Sequence, residues 1–328
     1  MKSVYIYPTY RPDKDATGNK YIEYFHDAFR RRFYVRELLS QFGIISLFFN
    51  IKSDLFIFHW VETIRFKRFG LVQVFVFVVG VSLLKIFEKK IIWVLHNKRS
   101  HKGDSKVAFF CMKFMARSAD IIVTHATEGL RFIEEKFGEQ VRRRAFLIPH
   151  PVYSQEIFSE GQIEWDIIIW GSIERYKNIV PFLEFVKGNK VMQTKRILIC
   201  GRCKDITYLE EIYSILLDNI TLVNEFLEED ILRRYISKSK VILFTYSLDS
   251  VLSSGALIYS LNFGKKIIGP NGGAFKDMHP IVDCYDSFDN IADIIDIDKK
   301  VDISIVKEYI NNNTWCDLPE KLLSELFM

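Results

Sequence analysis

A chain of 328 residues that is 49% hydrophobic and 15% aromatic has length for two α/β domains and a large core, which excludes a disordered tail-like protein. Its five cysteines, Cys111, Cys200, Cys203, Cys284 and Cys316, are odd in number and scattered, which excludes a disulfide framework and fits a reducing cytoplasm. The net charge of +4 hides an asymmetry: residues 1–150 carry 26 Lys/Arg against 14 Asp/Glu, a balance of +12, and the remainder carries 19 against 27, a balance of −8. A basic half of this kind suits anionic partners such as lipid headgroups, or else is simply a solvated surface.

Val4–Tyr7 reads as a first buried strand, and Met1-Lys2 leads directly into it, so no signal peptide is expected. Lys20–Phe29 and Arg36–Gln41 read as helices, Ile44–Phe49 and Leu55–His59 as strands. Leu71–Phe87 is helical, and its stretch LVQVFVFVVGVSLL (71–84) carries no charge but at 14 residues is short for a membrane span. Arg65, Lys67 and Arg68 precede it; Lys85, Lys89 and Lys90 follow. It is either a buried helix or one that dips into a membrane interface with basic residues on the headgroups. Strands at Ile91–Leu95, Ile121–Thr124 and Phe146–Ile148 alternate with helices at Ser105–Arg117 and Thr127–Phe137. This alternation predicts a parallel, doubly wound sheet. Pro149-His150-Pro151 interrupts it, and a polar stretch runs to Glu164, which divides the chain into domains 1–150 and 151–328.

The pattern restarts with strands at Asp166–Trp170, Ile197–Cys200, Ile220–Val223, Val241–Phe244 and Lys266–Ile268. Helices fall at Val180–Val186, Tyr208–Leu217 and Glu228–Ser237, and a last helix at Leu318–Phe327. Cys200-Gly201-Arg202-Cys203 matches C-x-x-C, but Cys200 closes an apolar strand, where it acts as a small hydrophobe, and no second pair or nearby histidine completes a zinc site. The most informative stretch is VILFTYSLDSVLSSGALIYSLNFGKKIIGPNGG (241–273). After the strand and a polar loop, Ser253-Ser254-Gly255 opens a short helix, Gly264 ends it, and Gly269–Gly273 forms a second glycine-rich turn. A small-residue loop entering a helix leaves N–H groups unpaired, a place where a diphosphate can sit.

Other pieces stand in a recognisable order with this one: SDLFIFHWVET (53–63), IIWVLHNKRSHKG (91–103), SADIIVTHATEGLRFIEEKFG (118–138), FLIPHPVY (146–153) and DIIIWGSIERYKNIVPFLEF (166–185). Over nearly the full length the chain resembles bacterial glycosyltransferases of family 4, or group 1, from polysaccharide synthesis. The resemblance implies the GT-B fold: two Rossmann-like doubly wound domains facing each other, with the C-terminal helix returning to the first domain. It implies a nucleotide diphosphate sugar on the second domain and a lipid-linked or growing glycan acceptor on the first. The expected setting is the cytoplasmic face of the cell membrane, with the basic domain peripheral on an anionic surface. No nucleic-acid partner, cofactor or metal is called for, since Lys and backbone dipoles can stabilise a leaving diphosphate.

Site residues follow from the same likeness. His96 stands at the carboxyl end of a strand, where ligands bind in open α/β sheets, and the matching family histidine faces the donor sugar. Glu62, after His59-Trp60, is a candidate base or acceptor contact; Asp13, Asp15, Asn19 and His26 border the acceptor-side N-terminal loop. On the donor side stand Gly171, Ser172, Arg175, Lys177, Arg202, Ser253, Ser254, Gly255 and Tyr259. Ser172 and Asn178 replace residues that are arginine and glycine in many relatives. The family's pair of glutamates, eight apart, is absent: the positions hold Val251 and Tyr259. Two alternatives therefore stay open, a non-catalytic sugar-nucleotide-binding subunit and a sugar-nucleotide epimerase of the same fold.

Overall fold

The structure is a computed structural model, and it describes residues 2–10, 20–100, 103, 105–158, 161–248, 251–297 and 301–327. Asp13, Asp15 and Asn19 lie outside the described residues. The chain divides into two compact units, one of residues 1–153, 249–253 and 313–328, the other of 154–248 and 254–312.

In the first unit the elements run β1 (Ser3–Tyr7), α1 (Lys20–Arg30), β2 (Tyr34–Val35), α2 (Ser46–Phe49), β3 (Leu55–His59), α3 (Gly70–Ile86), β4 (Lys90–Leu95), α4 (Lys106–Ser118), β5 (Ile121–Thr124), α5 (Thr127–Phe137), α6 (Glu139–Arg142) and β6 (Ala145–Leu147). The six strands are all parallel, in the order β2-β1-β3-β4-β5-β6. Short apolar runs such as LFIFH are buried on both faces, as a parallel sheet between helix layers requires. One layer packs Phe25 and Phe29 of α1, with Leu318 and Leu322 of the C-terminal helix Leu318–Phe327, against Ile57 and Val94. On the other face Phe77 of α3 meets Phe58 at 6.2 Å between rings.

Two expectations fail here. Ile44–Phe49 is not a strand: a 3₁₀ turn, Ser40–Ile45, runs into α2. Arg36–Gln41 is not a helix, since only Ser40 and Gln41 belong to that turn. The physical reason is Asn50, fully buried, which donates from Nδ2 to Ser46 O (2.7 Å) and Leu38 O (2.9 Å) and closes the segment as a helical turn. Ile44 and Leu47 then point inward three residues apart, a helical spacing that a short apolar run does not distinguish from a strand.

The second unit runs β7 (Trp165–Trp170), α7 (Ile179–Gly188), α8 (Lys190–Gln193), β8 (Ile197–Cys200), α9 (Ile206–Ser214), β9 (Ile220–Val223), α10 (Glu229–Ser237), β10 (Ser239–Leu243), α11 (Gly255–Ser260), β11 (Lys266–Pro270), α12 (Gly273–Asp277), β12 (Val282–Tyr285), α13 (Asp289–Ile295) and α14 (Ile303–Asn312). Its parallel order is β12-β11-β10-β7-β8-β9. The glycine-rich turn is shorter than expected, because Gly269 and Pro270 still belong to β11 and Gly273 already opens α12. Strand β12 and helices α12 to α14 are additions to the elements read from the sequence. In each unit the order reverses beside the first strand, between β1 and β3 and between β7 and β10, and the carboxyl ends there are where an open sheet offers a ligand crevice.

Candidate functional sites at the strand ends

In the second unit, Gly171 follows β7 with φ +98°, a conformation that favours glycine. A Cβ at Gly171 would lie 2.9 Å from Lys177 Nζ, so the missing side chain is the space into which the ammonium fits. Lys177 ends a 3₁₀ turn and is only 4% exposed. Its Nζ donates to Trp170 O at 3.4 Å and stands 5.2 Å from the Tyr246 ring centre, beyond β10. No carboxylate pairs with it among the described residues. An ammonium has three donors, and one long bond to a carbonyl with one ring face leaves this buried charge short of an anion. Asn178, next in the chain, takes the left-handed conformation (φ 52°) that starts α7, a role asparagine tolerates in place of glycine.

Ser254 caps α11, its Oγ accepting from Leu257 N at 3.4 Å and lying 3.3 Å from Tyr246 Oη. Gly255 is the first helical residue. Ser253 belongs to the first unit, the division falling between it and Ser254, and its buried Oγ has no partner. Tyr259 places its hydroxyl 3.5 Å from Glu229 Oε1 and its ring 5.6 Å from Trp170. Ser172 and Arg202 are exposed loop residues on either side of the Ile173–Cys203 bridge. The guanidinium of Arg175 is committed elsewhere: it is bidentate to Glu211 (2.9 and 3.0 Å), bonds Asp205 at 2.9 Å, and lies over the Tyr208 ring. Cys200 and Cys203 are buried and free, and burial pushes the Cys200 thiol up to about 12.

In the first unit four histidines stand at or just past the ends of four neighbouring strands: His59 ends β3, His96 follows β4, His125 follows β5 and His150 follows β6. Their rings surround Tyr21 of α1 at 4.8 to 5.7 Å between centres. Acceptors fix the tautomers of two. His125 Nδ1 donates to Ile148 O at 2.7 Å, so its Nε2 accepts from Tyr21 Oη at 2.9 Å. His150 Nδ1 donates to Pro151 O at 2.7 Å. His59 Nδ1 and His96 Nε2 share a proton across 2.9 Å, while His59 Nε2 is buried without a partner. Placing the proton on His59 Nδ1 leaves a bare lone pair at Nε2 rather than an orphaned N–H. All four rings are held neutral: burial pushes His125 to about 4 and His150 to about 3, and drives His59 and His96 well below the usual imidazole range, with neighbouring histidines helping for all but His125.

Trp60, in the left-handed region at φ 47°, stacks on His96 at 4.4 Å and turns the chain so that Glu62 points inward. Glu62 is 1% exposed and accepts from Asn97 Nδ2 at 3.2 Å. Burial raises its carboxyl to about 7, against the opposing pull of its own backbone N–H and the Asn97 amide. Asn97 also pairs through its backbone with Val251, in the short return segment of this unit. One of the two missing glutamate positions therefore lies on the residue that holds Glu62. His26 is not among the rings around Tyr21 but neighbours His59, and its ring nitrogens are 2.8 Å from Glu37 Oε1 and 3.3 Å from Pro8 O. The sequence singled out His96 and Glu62 but not His59, His125 and His150 as a set; the available signal was that each sits within three residues of a strand end. No group of three or more His, Cys, Asp or Glu among the described residues could hold a metal ion.

No protein-family profile matches the chain, and no curated protein matches it by sequence. Solved structures do match. Anabaena HepE, solved in complex with UDP, aligns at 12% identity and TM-score 0.70 over 99% of this chain and all of that one. The lipopolysaccharide outer core galactosyltransferase WaaB aligns at 11% and 0.61 over 99% and 100%. AviGT4, a glycosyltransferase of avilamycin A biosynthesis, aligns at 10% and 0.59 over 99% and 97%. With two parallel six-stranded sheets, each sheathed in helices, and these likenesses over nearly its whole length, the chain has the GT-B glycosyltransferase fold.

Proposed function

We propose that the protein is a glycosyltransferase that takes a nucleoside-diphosphate sugar and passes the sugar to a lipid-linked or growing glycan acceptor, in the making of a capsule, exopolysaccharide or O-antigen. It works without a metal, at the cytoplasmic face of the membrane, as a peripheral protein. The observation that carries this reading is Lys177, a buried ammonium without a carboxylate partner among the described residues, set at the reversal point of the second sheet. An anion of the donor diphosphate completes its shell, joined by Ser254 and Gly255 at the start of α11. UDP is the nucleotide to test first, because HepE was solved with it.

On the acceptor side Glu62 is the base. With a carboxyl near 7 it is ionised in a useful fraction at neutral pH and still basic enough to take a proton from a hydroxyl. The acceptor oxygen then bonds the anomeric carbon, the bond to the diphosphate breaks, and its charge leaves onto Lys177. Neutral His96 serves the sugar as a hydrogen-bonding group rather than a charge. The test is calorimetric titration with UDP. The native protein should bind, and Lys177→Ala, if folded, should lose about 1.5–3 kcal/mol, the range for a hydrogen bond to a charged group. Unchanged affinity removes Lys177 from the site. Hydrolysis of a UDP-sugar without acceptor separates this reading from a binding subunit, which would bind UDP and release no sugar.

A further inference from the structure

We propose that the N-terminal end of α3 and the loop before α2 form a face that docks on an anionic lipid bilayer, with aromatic side chains below the headgroups and cations among them. This rests on the proposed membrane location and assigns it to residues. Helix α3 satisfies its core on one side only. Val74, Phe77, Gly80, Val81 and Leu84 are buried, and Gly80 admits Leu47 so closely that a Cβ there would lie 2.4 Å from it. The other side of its first turns has no cover: Phe69 and Phe75 are each 69% exposed, Leu71 61% and Val72 56%. Gly43 lies against the Gln73 side chain, so half-exposed Phe42 belongs to the same edge. A helix facing water alone carries polar residues there. No helix among the described residues is long and apolar enough to cross a membrane, so this is an interfacial face and not a span.

Charge selects the occupant. Arg65, Lys67 and Arg68 immediately precede the apolar tip, and the Arg68 guanidinium sits 5.0 Å from the Phe69 ring centre. Arg65 and Arg68 make no ion pair among the described residues. Three arginines in other basic clusters of this unit are spent internally: Arg30 on Asp27 and Glu37, Arg32 on Glu320, Arg143 on Glu139. Exposed aromatic and aliphatic tips beside Arg65 and Arg68, which no carboxylate pairs among the described residues, match the boundary of acyl chains and anionic headgroups. A second copy fits worse, since a two-fold contact would bring both sets of arginines together.

Co-sedimentation with phosphatidylcholine vesicles, with and without phosphatidylglycerol, tests the face. The native protein should pellet with the anionic vesicles at low salt and less at high salt. Arg65→Ser with Arg68→Ser should weaken binding about 30-fold, at the usual contribution of each basic residue near such a surface. Leu71→Ser with Phe75→Ser should weaken it about tenfold or more through lost apolar insertion. Arg68, Leu71 and Phe75 are exposed and Arg65 half-buried, and both pairs should keep the native melting temperature and UDP affinity. The proposal is overturned if the native protein stays in the supernatant with anionic vesicles, if both variants bind as the native protein does, or if light scattering shows a dimer that Leu71→Ser with Phe75→Ser dissolves. Failure to bind UDP with vesicle binding intact would sink the transferase reading and leave the docking face standing.

Discussion

Glu62 and His96 make opposite demands on pH, and each yields a measurement. A base must be ionised, so with a carboxyl near 7 the turnover under saturating substrate should rise with pH through about 7 and level above it. Glu62→Gln should remove that limb and lower turnover about 100-fold or more, the usual worth of a positioned base. A structural role would leave the limb in place. His96 is held neutral by burial and its histidine neighbours, so no charge of its own titrates near neutrality. His96→Ala should cost turnover far more than UDP affinity; a loss confined to melting temperature would make the ring a packing element around Tyr21 and Trp60.

At the scale of elements, the segment 40–49 shows one side chain overruling a pattern. An apolar run of this length suits a strand as well as a helix, and Asn50 decides the matter by bonding backbone at both Leu38 and Ser46. Asn50→Ala should orphan these buried groups and cost about 2–3 kcal/mol, read by denaturant unfolding of the whole chain. A loss below about 0.5 kcal/mol would show that packing of Leu47 on α3 alone holds the turn.

At the scale of the molecule, the histidine cluster makes the first unit acid-sensitive. Unfolded histidines titrate near 6.5 and these four titrate lower when folded, His125 near 4 and His150 near 3. Their contribution is whole above pH 6.5 and is lost as pH falls toward the folded values, because the unfolded chain then binds protons that the folded one refuses. Each costs about 1.4 kcal/mol per pH unit in that window. Glu62 works the other way, its raised carboxyl favouring the fold below 4.5 and losing that advantage as pH rises to about 7. Four groups outweigh one, so acidification from pH 6.5 to 5 should lower the melting temperature of the first unit steeply. The second unit contains only the exposed His279 and should change little. Equal shifts in both transitions of a calorimetric scan would refute the cluster as the cause.

What the sequence determined by itself was local: the alternation of apolar strand runs with amphipathic helices, the Pro-His-Pro break, and the residues that follow each strand. Those properties depend on spacing along the chain, and they were enough for a doubly wound α/β fold; naming His96, Glu62 and Lys177 also took the resemblance to group 1 glycosyltransferases that the motifs carry. The tertiary structure alone decided which charges are spent and which are not. Arg175 and Lys177 look alike in the loop GSIERYKN, yet one is clasped by Asp205 and Glu211 and the other lies buried beside a backbone carbonyl. Likewise the four histidines come from positions as far apart as 59 and 150, and only the parallel order of β3 to β6 brings them around one tyrosine. The reason is physical: a side chain's charge, solvation and proton depend on neighbours brought from distant parts of the chain, which local spacing does not encode.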